Sequence, residues 1–364
     1  MSPTCTYFLK CSGCDWWNKS YQEQSSEKIQ NLKSILQEEA IEFLSAGEYG
    51  LRHRTDFTIQ YDEDLNKHLI GFYDNNKKIM QIDTCLQMSA ELQKVYSEFT
   101  QISFYYGDTP LKKGSVRLRV SPQGLKGCWL DFSNIEIKHF LEDQVLLRHL
   151  LDAGFIVEMG QKGKRLVREN GILKLASPIP EAWFKTQTIP LKCLISDFTQ
   201  PSWNTSDLIV ETVISHVKEL KLSGSILEFG SGIGQFSLAF LKEGFKLTCC
   251  EINASSAEQL LSNVEGMNNK NNLNLLIGDF HKKTIENSNF DLVFVNPARS
   301  GLKNFTQEIA KTNAEYLIYV SCFPESMAQD LSNLPDYKIC NIKIIDQFPQ
   351  THHYEVCALL KKLS

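Results

Sequence analysis

The stretch ILEFGSGIGQFSLAFLKEGFKLTCCEIN, residues 226–253, constrains the fold of this chain more than any other. An apolar run of strand length leads into a glycine-rich turn (Gly230, Gly232, Gly234), then a helix-length segment, then a second apolar run ending in an acid, Glu251. Two strands joined through a helix are expected to lie parallel, because an antiparallel pair needs only a short turn. The pattern continues toward the C-terminus, where LNLLIGD, FDLVFVNP and YLIYVSC alternate with helical segments. Runs this uniformly apolar suit a mostly parallel sheet covered on both faces. The closing DYKICNIKIIDQFPQTHHYEVCALLKK predicts two more strands, forming an antiparallel hairpin at the sheet edge.

Before the Pro-punctuated SPIPEAW (177–183) and TIPLKC (188–193) the texture differs. DFTIQYD, HLIGFYD, KIMQID, SVRLRVS and GCWLDFS alternate apolar with polar residues and predict half-buried strands, with helices over 89–106 and 140–155. Residues 20–46 carry Ile29, Leu32, Ile35 and Leu36 at helical spacing and predict a surface helix, which could pack on the C-terminal domain. A chain of 364 residues exceeds what one core usually supports. We therefore expect two domains: an α+β region over 1–190 and an α/β domain over 191–364.

No apolar run is long enough to span a membrane and no export signal opens the chain, so a soluble, cytoplasmic protein is expected. The net charge of −5 supplies no global field for a polyanion. Nucleic-acid contact would fall to local clusters: Lys112, Lys113, Arg117 and Arg119, or Lys162, Lys164, Arg165 and Arg168. Taken alone, either cluster reads first as a solvated strand or hairpin face. In a reducing compartment the 11 cysteines are free for metal or chemistry. Cys249, Cys250, Cys340 and Cys357 lie in apolar strands and read as inert core residues. Cys5, Cys11 and Cys14, by contrast, stand C-x5-C-x2-C, a spacing suited to metal and one ligand short of a tetrahedral set.

The glycine turn lets a cofactor approach the backbone, and Glu251 at the end of the next strand can accept hydrogen bonds from a ribose diol. A third strand ending in Gly278-Asp279 extends this edge. A dinucleotide would suit the same architecture, as would a purely structural turn. However, E-F-G-S-G-I-G is similar to the S-adenosylmethionine loop of class I (Rossmann-like) methyltransferases. Asn296-Pro297 leaves the fourth strand where open α/β sheets bind ligands. It resembles the NPP-aromatic motif of amino-group methyltransferases, except that Arg299 holds the aromatic position.

Cys322 ends the fifth strand before Pro324 and a predicted helix, where backbone N–H groups and the helix dipole are expected to lower a thiol pKa. Glu355 interrupts an apolar run, as a carboxylate that is either paired or held at raised pKa. A methyl donor, a thiol and a carboxyl together suggest methylation of uracil carbon 5. Thiolate addition to carbon 6 makes carbon 5 nucleophilic, and a base must then remove its proton.

On the leading cysteines, YQEQSSEK, LRHR, DFTQ, VNPARSG, YVSC and HYEV, the chain resembles the RNA 5-methyluridine (uracil-C5) methyltransferase family over nearly its whole length. It is most similar to the iron-sulfur 23S rRNA branch that lacks an N-terminal oligonucleotide-binding barrel. The resemblance implies a class I methyltransferase domain preceded by an α+β domain carrying a cluster. It also implies a flipped-out 23S rRNA uridine as substrate, no DNA partner, and a monomer. Gln200, Gly230, Gly232, Glu251, Asp279 and Asn296 would then contact S-adenosylmethionine, with Cys322 as nucleophile and Glu355 as base. Departures occur at Asn296, Ser202 and Phe323, where the family often has Asp, Asn and Asn. Arg52, Arg54 and the basic clusters are candidates for phosphate contact, and Trp16, Trp17 or Phe323 for base stacking.

The first downstream thiol outside an apolar strand is Cys85; Cys128 and Cys193 are less well placed. The set Cys5, Cys11, Cys14 and Cys85 matches the family's cysteines that hold a 4Fe-4S cluster; zinc suits the same four thiolates. Two other readings stay open: a tRNA substrate for the same chemistry, and a non-catalytic RNA-binding protein on a methyltransferase fold.

Overall fold

The computed structural model describes residues 4–132, 136, 138–139, 141, 144–160, 163–222, 224–278 and 289–363. Asp279 and Lys162, both singled out above, lie outside the described residues. The chain forms two compact units: 1–18 with 48–184 and 193–203, and 19–47 with 185–192 and 204–364. No single cut at residue 190 produces this division, because the chain passes from one unit to the other several times.

The first unit is built on an eight-stranded sheet. In order across it lie Ile172–Ala176, Lys164–Glu169, Phe155–Met159, Lys126–Asp131, Lys113–Val120, Arg54–Asp62, Lys67–Tyr73 and Ile79–Gln81. Neighbours are antiparallel except Lys126–Asp131 with Phe155–Met159, where the helix Val145–Asp152 supplies the crossover that a parallel pair requires. Alternation buries Phe57, Ile59, Val116 and Leu118. The helix Ala90–Phe99, capped by Ser89, adds Leu92, Tyr96 and Phe99 to the same core.

The basic clusters are divided: Lys112, Lys113, Lys164 and Arg168 are exposed, whereas Arg117, Arg119 and Arg165 are drawn inward. Arg119 is 1% exposed and donates to the Leu194 and Asp197 carbonyls and to Thr199 Oγ1. Arg117 pairs with Asp56 across the sheet, and Arg165 with Glu181. Arg117 and Arg119 therefore tie strands and loop together, while Lys112 and Lys113 stay on a solvated face as expected.

The second unit also has an eight-stranded sheet. Its order is Glu42–Ser45, Tyr337–Asp346, Glu355–Lys362, Tyr316–Ser321, Leu292–Val295, Ser225–Phe229, Lys246–Glu251 and Leu273–Ile277. The last five are mutually parallel, and Glu355–Lys362 runs antiparallel between Tyr316–Ser321 and Tyr337–Asp346. All four residues of Leu292–Val295 are buried, as a strand covered on both faces requires. The helices Trp203–Glu219, Ser237–Lys242, Ala254–Val264, Phe305–Lys311 and Pro324–Ser332 accompany these strands.

Three expectations change. The C-terminal hairpin forms, but it is not the sheet edge: Glu42–Ser45 pairs parallel with Lys343–Asp346 and lies outside it. The predicted helix over 20–46 is therefore a shorter helix, Tyr21–Leu36, and this strand. The helix stops where Gln37 turns left-handed (φ 58°), and EFLS then pairs along the open edge. It begins with a full capping box, Ser20 with Glu23. Cys340 is exposed, next to the register shift between Ile339 and Asn341, while Cys249, Cys250 and Cys357 are buried.

Candidate active site

Sheet register assembles the site in the second unit. Phe229 pairs with both Cys250 and Val295, and Val295 with Tyr319. The segments following each strand, which carry Gly230, Glu251, Asn296 and Cys322, therefore leave along one edge, the carboxyl edge. The antiparallel strand completes the group: Ser321 pairs with Val356, so Cys322 and Glu355 flank that pair on adjacent strands.

Gly230, Gly232 and Gly234 all take left-handed backbone (φ 72°, 55° and 99°), which only glycine adopts without strain. The turn is held by Gly230 N–H donating to the Cys250 carbonyl (2.8 Å). Glu251 is 7% exposed. One of its oxygens accepts from Gly232 N–H (2.7 Å) and the other from Asn253 N–H (2.8 Å). A carboxylate accepts about four hydrogen bonds, so capacity for a diol remains. Glu228, the acid before the first glycine, instead points inward. It accepts from Ser237 Oγ (2.6 Å), and burial pushes its pKa up to about 7. Gln200 is buried in the first unit.

Cys322 is partly buried and Glu355 is 3% exposed. Burial pushes the Glu355 carboxyl up to about 8, against the pull of Arg299. Gln347 Nε2 donates to its Oε1 (3.0 Å), while Oε2 has no hydrogen-bond partner among the described residues. The Cys322 thiol is also raised, first by burial and then by the Glu355 charge. The Arg299 guanidinium and a backbone N–H oppose this without reversing it. The lowered thiol expected from the helix terminus is thus overturned, because desolvation and a neighbouring acid outweigh the dipole. Arg299 and Gln347 escaped the sequence reading as partners of the thiol and the carboxyl. An arginine in the place of an aromatic, four residues past a strand end, was the available signal for the first.

In the first unit, Cys5, Cys11, Cys14 and Cys85 line one cavity, together with Arg52 and Trp17. Among the described residues, no three His, Cys, Asp or Glu side chains converge on a single point as metal ligands would. The four thiols share a wall instead. Burial pushes Cys14 up to about 12 and raises Cys11 and Cys85; nearby thiols raise each further, and Arg52 pulls each down. An all-sulfur donor set of this kind fits a thiolate-binding metal group, since bound cations would stabilise the charges that burial disfavours. Arg52 thus faces thiols, and Trp17 stacks on Tyr49 (5.9 Å), where phosphate and base contacts were expected. Cys128 and Cys193 are buried elsewhere.

Among the described residues, no helix is long and apolar enough to cross a membrane. The sequence profile of the tRNA (Uracil-5-)-methyltransferase family matches residues 184–363. A protein named as an uncharacterized RNA methyltransferase of Bdellovibrio bacteriovorus is 36% identical, covering 98% of this chain and 95% of its own. A 23S rRNA (uracil(1939)-C(5))-methyltransferase of Vibrio parahaemolyticus is 25% identical over 100% of this chain and 82% of its own. Among solved structures, the Pyrococcus abyssi tRNA (uracil-54, C5)-methyltransferase in complex with S-adenosyl-L-homocysteine superposes with a TM-score of 0.72. It is 23% identical, with 99% of this chain and 88% of that one covered.

Proposed function

Because the chain belongs to the RNA uracil-C5 methyltransferase family, we propose that it methylates carbon 5 of one uridine in 23S rRNA, as a cytoplasmic monomer. The observation that carries the mechanism is the Ser321–Val356 pairing, which puts Cys322 beside Glu355 at the carboxyl edge of the sheet. S-adenosylmethionine, when bound, supplies a methyl group on a cationic sulfur.

Cys322, its proton lost to solvent and its thiolate favoured by Arg299, adds its Sγ to carbon 6 of a uridine taken out of its stack. The electron pair displaced from the C5–C6 double bond makes carbon 5 the nucleophile that accepts the methyl group. Glu355 then takes the proton from carbon 5, the double bond re-forms, and the Sγ–C6 bond breaks to return the thiolate. A carboxyl raised to about 8 is, once ionised, a stronger base than an exposed one. Glu355 gives up its own proton to solvent before it takes the one on carbon 5.

Gly230, Gly232, Glu251, Asn296, Gln200 and Asp279 are assigned to the donor, with Glu251 on the ribose. Ile252, 69% exposed directly after Glu251, offers an apolar face to the adenine.

The first unit carries the RNA-binding role expected of residues 1–190, and in it Cys5, Cys11, Cys14 and Cys85 hold a 4Fe-4S cluster. The cluster would tie the N-terminal segment to the strand sheet. The exposed Phe323 stays a candidate for stacking on the target base.

A tRNA substrate is the second reading, favoured by the description of the matching family profile. Tritium release from RNA labelled at uridine carbon 5 tests the chemistry. A Cys322→Ala protein that keeps releasing tritium would sink it. Mapping 5-methyluridine in 23S rRNA and tRNA from a strain lacking the gene decides the substrate.

A further inference from the structure

Helix Tyr21–Leu36 aligns Tyr21, Gln24, Lys28 and Asn31 on one face, by steps of three and four residues. Each grips the segment 346–354, which joins the strand Tyr337–Asp346 to the strand that starts at Glu355. Tyr21 OH donates to Asp346 Oδ2 (2.9 Å). Gln24 and Gln350 bond reciprocally: Nε2 donates to Oε1 of Gln350 and Oε1 accepts from the Gln350 N–H, both at 2.8 Å. Lys28 Nζ donates to Asp346 Oδ1 (2.8 Å) and to the Phe348 carbonyl (3.2 Å), and Tyr354 OH donates to Asn31 Oδ1 (2.5 Å).

The Lys28 and Asp346 side chains are 0% exposed. A buried ion pair gains little over an apolar pair of similar volume, so stability alone does not account for it; what it adds is direction. Gln350 sits in left-handed backbone (φ 68°), a conformation that its two bonds to Gln24 hold in place. Asp346 is followed by Gln347, whose Nε2 donates to Glu355 Oε1 (3.0 Å). One path therefore runs from Lys28 through Asp346 and Gln347 to the carboxyl.

We propose that Gln24 and Lys28 are positioning residues for proton removal from carbon 5: they fix the 346–354 segment and thereby the orientation of Gln347 and Glu355. The inference rests on reading Glu355 as the base. It gives the YQEQSSEK motif, otherwise outside the site, a part in the reaction.

If proton removal slows while methyl transfer does not, the methylated uridine stays joined to Cys322. Enzyme is incubated with total RNA from a strain lacking the gene and methyl-tritiated S-adenosylmethionine, then nuclease-digested, and label retained on denatured protein is counted. Lys28→Met/Asp346→Leu exchanges the ion pair for an apolar one, and Gln24→Leu strands no charge. Both are expected to melt near wild type and to keep the donor KM. Turnover should fall on the order of tenfold, with protein-bound label rising several-fold. A folded Gln24→Leu or double variant with wild-type turnover and label overturns the proposal, as does turnover lost without retained label. Glu355→Gln, run in parallel, separates the two readings. Retained label there with none in the helix variants sinks the positioning role alone, whereas wild-type turnover in Glu355→Gln sinks the base.

Discussion

Replacing Glu355 by glutamine removes a titration from the site while keeping the shape of the side chain, and its effect on stability should depend on pH in a defined direction. An unfolded glutamic acid titrates near 4.3; in the folded protein burial pushes this one to about 8. The folded state therefore holds the proton more tightly. That preference contributes stability in full below about pH 4.3, and the contribution is lost as pH rises through about 8. At about 1.36 kcal/mol per pH unit, roughly 2.5 kcal/mol disappears between pH 5 and pH 7, out of a ceiling of about 5 kcal/mol.

Glutamine never ionises, so Glu355→Gln escapes this loss. Its melting temperature relative to wild type should climb by about 5–10 °C from pH 5 to pH 7. Glu228, also raised by burial, is common to both proteins and cancels in the difference. Thermal unfolding at four pH values, followed by circular dichroism, measures it. A flat difference refutes the buried, unpaired carboxyl. A carboxyl ionised beside Arg299 in the resting enzyme would give that flat result, because its titration lies below this pH window.

The same geometry makes further predictions. Cys322→Ala should abolish methylation and tritium release, a loss of at least about 10⁴-fold, with donor binding by calorimetry intact. Arg299→Met removes the cation that holds down both raised groups, so the pH profile of turnover should move alkaline by on the order of one unit. Glu251→Gln should raise the KM for S-adenosylmethionine about tenfold or more, with a smaller change in kcat, in steady-state assays. Anaerobically purified protein should absorb near about 400 nm, and Cys85→Ser should bleach it; stoichiometric zinc in colourless protein would favour the other metal.

The parallel strands were legible because their residues are apolar on both faces, and the glycine turn because only glycine accepts its backbone angles. The strand Glu42–Ser45 was not, since four residues carry no period and its partner lies some 300 residues away. The nearness of Cys322 and Glu355 could be suspected from chemistry, but the antiparallel insertion that creates it is a fact of register. The direction of the Cys322 shift was misjudged for a related reason. A helix terminus is visible in a sequence, whereas desolvation and the Glu355 charge depend on packing. Arg119 looked like a surface cation because its cluster alternates with apolar residues; the carbonyls that bury it come from residues 194 and 197, far along the chain.

The edge strand Glu42–Ser45 has a consequence for how this enzyme can be made and cut. A fragment beginning at residue 191 would contain every group assigned to the donor and the reacting base but lack Gln24 and Lys28, and it would leave the edge of Tyr337–Asp346 unpaired. An open edge of this kind recruits other chains. Such a truncation should aggregate, and co-expressing residues 19–47 as a separate peptide should restore solubility. During synthesis those residues leave the ribosome long before their partner strand exists, so the catalytic unit closes only when the last part of the chain arrives.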